Sequence, residues 1–168
     1  MYTSIIQSLE RNTKVFIALL NDLPSEEYLW RQAPGKWSLL EIVCHLRDEE
    51  VEDFRTRVKY VLEDPSLTLP PIDPVGWVQN RKYLEQNYKT VLNSFIDERE
   101  RSVNWLRSLT EPKWDNSFLH PKFGPMSAKL FLSNWLAHDL LHIRQINKLR
   151  FDYLKHISSE DLSYAGNW

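Results

Sequence analysis

Asn134-Trp135-Leu136-Ala137-His138-Asp139-Leu140-Leu141-His142-Ile143-Arg144-Gln145-Ile146 is the stretch on which the fold turns. Stepping through it by three or four, and continuing the step on both sides, gives Ala128, Phe131, Trp135, His138, His142, Gln145 and Leu149. This is the apolar stripe of a helix with two histidines set in its middle. Their i, i+4 spacing sends both rings off one face, and the apolar neighbours require that face to point into a core. Two buried imidazoles without partners would cost about 1–3 kcal/mol each. A divalent cation satisfies both, because neutral imidazole is the commonest metal ligand and i, i+4 histidines converge on one ion. The ordinary alternative is that such a pair consists of surface residues or ordinary core polar residues.

On both sides of this stretch the same periodicity recurs between clusters of proline, which breaks helices. One helix is predicted over about residues 3–22, with Ile5, Leu9, Phe16, Leu19, Leu20 and Leu23 on one stripe. Ser25-Glu26-Glu27 opens a short extra turn that Pro34-Gly35 ends. A second helix begins at Ser38, where Ser38-Leu39-Leu40-Glu41 reads as a capping box, and stops before Pro65. Its stripe is Leu39, Ile42, Val43, Leu46, Phe54, Val58 and Val61. A third is predicted from about Val75 to Leu109, with Leu84 among its buried residues, and a fourth from the N-cap Ser127 to about Arg150. Pro65, Pro70, Pro71 and Pro74 fall between the second and third. A short β-hairpin fits between Trp114 and Phe123, and Tyr164 and Trp168 of the tail are expected to lie against the rest. Four such helices with intervening loops predict an all-α, antiparallel four-helix bundle occupying residues 1–168 as one domain.

His45 borders the second stripe, three residues after Ile42. In an antiparallel bundle this helix can neighbour the fourth and face the histidine pair, which would make three imidazoles around one ion with positions left for water or substrate. His120 and His156, in a loop and in the tail, are expected to stand outside the site, and Cys44 reads as a buried, inert thiol.

Several segments together resemble the DinB/YfiT-like superfamily of four-helix metal proteins. Trp37-Ser38 with Glu41, His45 and Leu46 is similar to its W-S-x-x-E-x-x-x-H-L segment. His138, His142, Gln145 and Ile146 match its H-x3-H-x2-Q-I segment. His120-Pro121-Lys122-Phe123-Gly124-Pro125-Met126 is similar to the approach to the last helix, and Tyr164-Ala165-Gly166-Asn167-Trp168 to the family ending. The resemblance implies that His45, His138 and His142 bind a divalent Zn, Ni, Mn or Fe ion. It also implies a long connection between helices 2 and 3, where the proline cluster lies. Homodimers occur in the family, as do S-transferases using bacillithiol, mycothiol or glutathione, and proteins described as metal-dependent hydrolases.

A three-histidine site can acidify a bound water or a bound thiol. Either use benefits from a nearby carboxylate base. Asp48 and Glu49, i+3 and i+4 from His45, are the candidates, although Arg47-Asp48-Glu49-Glu50 also reads as a solvated helix face. Glu41 is explained by the capping box and lies one turn before His45, where it could orient that ring. Gln145 either lines the cavity or is a core amide. The expected partner is a small molecule, with a low-molecular-weight thiol as one form of it. Metal-dependent thiol transfer, hydrolysis of an amide or ester, and a non-catalytic metal-binding stress-response module are the three functions this chemistry allows.

Composition bounds these readings. Apolar residues make up 42% and charged residues 26% of 168, with four glycines, as suits a helical globular chain. A net charge of −2 without a basic patch argues against nucleic acid. No apolar run reaches the roughly 20 residues of a membrane span, and Glu10-Arg11 interrupts any signal-peptide core. One cysteine fits a reducing, cytoplasmic setting. A carboxylate di-iron bundle needs E-x-x-H motifs, and Ile42, Trp135 and Asp139 occupy the i−3 positions here.

Overall fold

The computed structural model describes residues 1–166 and shows why the helices start where they do. α1 (Tyr2–Leu20) buries Ile6, Leu9, Phe16 and Leu20. After a short turn, α2 (Ser25–Tyr28), the capping box forms as expected: Ser38 Oγ accepts from the Glu41 amide, and Glu41 accepts from the Ser38 amide at 2.8 Å. It opens a second rod made of α3 (Leu39–Asp48), a π-helical segment (Glu49–Arg55) and α4 (Thr56–Glu63). The rod ends at Asp64, before Pro65, as the sequence predicts.

The predicted third helix is broken. α5 (Pro74–Asn80) is capped by Asp73, and a 3-10 turn follows at Tyr83–Glu85. Then α6 (Tyr88–Ser108) starts afresh with Asn87 as its N-cap. Lys82, in the left-handed region at φ 48°, stops the first piece from continuing into the second. Leu84 is consequently exposed, and Tyr83 is buried in its place.

A hairpin is present, but its second strand lies beyond the Phe123 at which the sequence reading ended it. β1 (Ser117–His120) pairs with β2 (Gly124–Ser127) in antiparallel register, Ser117 opposite Ser127 and His120 opposite Gly124. Ser127 then caps α7 (Ala128–Ser158), which runs two turns past Arg150. Trp30 packs on Tyr153 and His156 and so covers that extension. Tyr164 is fully exposed, contrary to expectation, on a terminal 3-10 turn none of whose residues is buried. Trp168 lies outside the described residues.

Around the bundle, α1 packs against α6 and α7, and the α3–α4 rod packs against the same two. The core has two apolar halves. Phe16, Leu20, Leu39, Leu46, Phe95 and Ile146 belong to one; Leu9, Phe54, Val58, Val103, Leu132 and Trp135 belong to the other. The order in which each helix meets the halves gives its direction: α7 and the rod run oppositely, as do α1 and α6, whereas the rod and α6 run the same way. That shared direction requires a return along the bundle, which residues 64–87 provide, with Leu69 in one half and Trp77 and Tyr83 in the other. Between the halves lies a polar layer. Asn12, Arg99, the adjacent Glu49 and Glu50, and Asp139 with His142 each fall between residues of the two apolar halves on their own helix.

Candidate metal centre

The three histidines meet inside that layer. His45 comes from the end of α3, and His138 and His142 from the middle of α7. His138 Nε2 lies 3.2 Å from His45 Nε2 and 3.1 Å from His142 Nε2. Ligand nitrogens of all three lie within 4.8 Å of one another. An ion held at a typical Zn–N length with near-tetrahedral angles separates its imidazole nitrogens by about 3.1–3.4 Å, so the spacing suits a shared cation. Trp37 packs at 4.9 Å on the His45 ring and Phe54 at 4.9 Å on the His138 ring, walling the cluster with aromatic carbon.

The electrostatics also fit. Burial, reinforced by the neighbouring His142, lowers the His45 pKa to about 3. Burial, with His142, His45 and Arg99 nearby, lowers that of His138 to about 2. Burial lowers that of His142 as well. All three are neutral near pH 7, the form that binds metal. The Nδ1 atoms of His45 and His142 are buried without a hydrogen-bond partner. With the ring protons on Nδ1, the converging Nε2 lone pairs face one point, where a divalent ion supplies the positive charge.

The carboxylates behave differently from the solvated face the sequence suggested. Asp48, Glu49 and Glu50 are 5%, 4% and 1% exposed. The reason is the π-helical segment, which no sequence signal announced. Its wider turn is marked by Thr56 Oγ1 donating to the Val51 carbonyl five residues back, at 2.7 Å, and π turns of this kind collect at functional sites. Both Glu49 and Glu50 thereby face inward.

Asp48 is occupied elsewhere. It accepts from Tyr83 Oη at 2.7 Å and pairs with Arg81 at 2.9 Å and Arg47 at 2.8 Å, so it ties the return segment to the rod. Glu49 Oε1 sits 4.0 Å from His45 Nδ1. Burial, with Asp53 beside it, raises its pKa to about 8. Glu50 accepts from Arg99 Nε at 2.9 Å and from the Trp135 indole at 2.8 Å. Arg99 also binds both oxygens of Asp139, at 2.6 and 2.7 Å, and Asn12 adds a bond to Asp139 at 3.0 Å. Sequence reasoning missed this network, although one signal was there: Arg99 interrupts the apolar stripe between Phe95 and Val103.

Glu41 is fully engaged by Ser38 and by Arg31, at 3.0 and 2.5 Å, which leaves it a capping role. Gln145 is exposed and lines a cleft beside His142, close enough to favour the protonated form of that ring. His120 Nδ1 accepts two turn amides, from Lys122 and Phe123, and His156 rests on Trp30, so both stand apart from the cluster. Cys44 is buried, and burial pushes its thiol up to about 12.

The sequence model of the DinB superfamily matches residues 8–146. The chain belongs to the DinB superfamily. Two relatives from Oceanobacillus iheyensis, each bearing the name "Putative metal-dependent hydrolase", are similar to this DinB chain over most of their length. OB0413 is 27% identical over 142 residues, 84% of this chain and 80% of the relative. OB0782 is 22% identical over 130 residues, 76% and 73% of the two. YfiT from Bacillus subtilis, described as a probable metal-dependent hydrolase with an unusual four-helix bundle topology, superposes with a TM-score of 0.77 at 21% identity, over 88% of this chain and 85% of its own. The likeness establishes the bundle fold. No helix among the described residues is long and apolar enough to cross a membrane.

Proposed function

We propose that this DinB protein is a metal-dependent hydrolase that cleaves an amide or ester of a small molecule at His45, His138 and His142. The observation that carries the reading is the convergence of three neutral imidazoles, which no fourth His, Cys, Asp or Glu atom joins among the described residues. Three protein ligands leave coordination positions for substrate, whereas a structural site closes with four. A bound Zn, Ni, Mn or Fe ion supplies Lewis acidity and acidifies a coordinated water or thiol.

The remaining tasks fall to the chain. His138 and His142 hold their rings from one helix face, and His45 closes the set from the opposing rod. Glu49, with its pKa raised to about 8 by burial and Asp53, holds or releases a proton at Oε1 near neutral pH, 4.0 Å from His45 Nδ1. A group poised near the working pH is the efficient acid–base catalyst. Trp37 and Phe54 keep bulk water off the imidazoles. The names of the two Oceanobacillus relatives support the same reading.

A second reading is S-transfer from a low-molecular-weight thiol to a small electrophile. It is favoured by a cleft of about 280 Å3 that borders the cluster through Trp37 and Gln145, where a second substrate has room.

The test is metal analysis followed by turnover of a panel of nitrophenyl esters and anilides, run beside thiols paired with a chromogenic electrophile. The hydrolase reading expects one bound ion, metal-dependent ester or anilide cleavage, its loss in His142→Ala, and about 100-fold slower cleavage in Glu49→Gln. Turnover only with a thiol present would replace it by the second reading. A wild-type protein that holds no ion would remove both.

A further inference from the structure

The cleft next to the histidines has a charge pattern of its own. It is lined by Lys36, Trp37, Arg144, Gln145, Lys148 and Asp152 among others. Lys148 is neutralised by Asp152, at 2.5 and 2.6 Å. Asp152 is the one carboxylate in the lining, so none is left over. Lys36 and Arg144 are exposed and engage no carboxylate among the described residues. Two free cations, one guanidinium and one ammonium, therefore face a recess whose other polar members are the amides Gln32 and Gln145 and the self-neutralised Lys148–Asp152 pair.

Both cations are tied by the chain to the cluster. Lys36 precedes Trp37, whose ring packs on His45, and Arg144 stands two residues past His142 on α7. Trp37, which lines the cleft and packs on the His45 ring, is the wall the cleft shares with the cluster. Arg is the side chain best shaped to grip a carboxylate through two parallel bonds, and Lys adds a point charge.

We propose that Lys36 and Arg144 form the binding site for a carboxylate of a small anionic substrate, with Trp37 and Gln145 turning the rest of that molecule toward the histidines. The assignment deepens the hydrolase reading and rests on it for the identity of the ligand as substrate. The anion site itself stands on the cleft alone.

The experiment follows backbone amide shifts by 1H–15N NMR in the full chain during titration with succinate, its uncharged analogue succinamide, and inorganic phosphate. Each titration is run on metal-loaded wild type, on chelator-treated wild type, and on a Lys36→Gln, Arg144→Gln double variant. Both substituted residues are exposed, so the variant keeps its fold. Succinate is expected to saturate loaded and metal-free wild type alike, to bind the double variant at least tenfold more weakly, and to outcompete phosphate, with no saturation by succinamide. Equal succinate affinity in wild type and the double variant overturns the proposal. So does absence of saturable shifts, tighter binding of phosphate, or succinate binding that disappears with the metal and survives in the double variant. A protein that binds no ion but passes the succinate test would discard the metal reading and leave the anion site in place.

Discussion

Arg99 grips Asp139 through two hydrogen bonds of 2.6 and 2.7 Å, and Asp139 is the residue that follows His138. The guanidinium reaches across from α6 to hold both Asp139 on α7 and Glu50 in the π-helical segment. It thereby braces the two elements that bring the histidines together.

Replacing Arg99 with Gln is expected to destabilise the fold by about 3–5 kcal/mol, because two buried carboxylates lose their counter-charge. Urea unfolding with and without metal measures it. A brace acting on the centre also reduces the stabilisation gained on adding zinc, whereas damage confined to the core lowers both curves equally.

The histidines make stability depend on pH. Their folded pKa values lie below the ordinary 6.5, at about 3 for His45 and about 2 for His138. Below pH 6.5 the unfolded chain binds protons that the folded one refuses, so this stability is complete above 6.5 and drains away as the pH falls toward 3. Glu49 works the other way: raised from 4.5 to about 8, it favours the fold below 4.5 and loses that contribution as pH rises through 8. Three imidazoles outweigh one carboxylate on the acid side. Metal-free protein is expected to show falling urea midpoints from pH 6.5 to 4.5, and metal-loaded protein is expected to release its ion over the same range.

Ser38→Ala removes the hydroxyl that caps α3 and is expected to cost about 1 kcal/mol. The thermal midpoint checks it. Because the capping box stands before Trp37's neighbour His45 by only two turns, a fall in zinc affinity accompanying the loss would show that fraying reaches the centre.

Cys44, buried and with its thiol pushed up to about 12, is expected to resist a thiol-specific chromogenic reagent at pH 8 until denaturant is added. One equivalent released only on unfolding is the expected reading, and fast reaction in the native state would contradict the buried placement.

Periodicity exposed the bundle because apolar stripes of Leu39, Ile42, Leu46 or Phe131, Trp135, Ile146 leave little choice of face. The histidine cluster was legible for the same reason: polar rings in such a stripe demand a partner. The π-helical segment was not legible, since one extra residue per turn changes hydrogen bonding without any characteristic residue. The break before α6 was hidden because Leu84 and Tyr88 keep the i, i+4 spacing of a helix across it, while the left-handed residue is a lysine rather than a glycine. The run Asp48-Glu49-Glu50 misled because charges signal solvent locally, and its partners, Arg81 and Arg99, lie 33 and 49 residues away in the chain.

The layer that parts the two apolar halves also sets the alignment of the helices along their axes. Sliding any one of them by a turn, about 5.4 Å, would drive Arg99 or its carboxylates into hydrocarbon and strand their partners. Dry apolar halves by themselves would tolerate such a slip, since one leucine fills another's place at small cost. The ionic waist admits a single axial position for each rod, and that position is the one in which three imidazole nitrogens share a point.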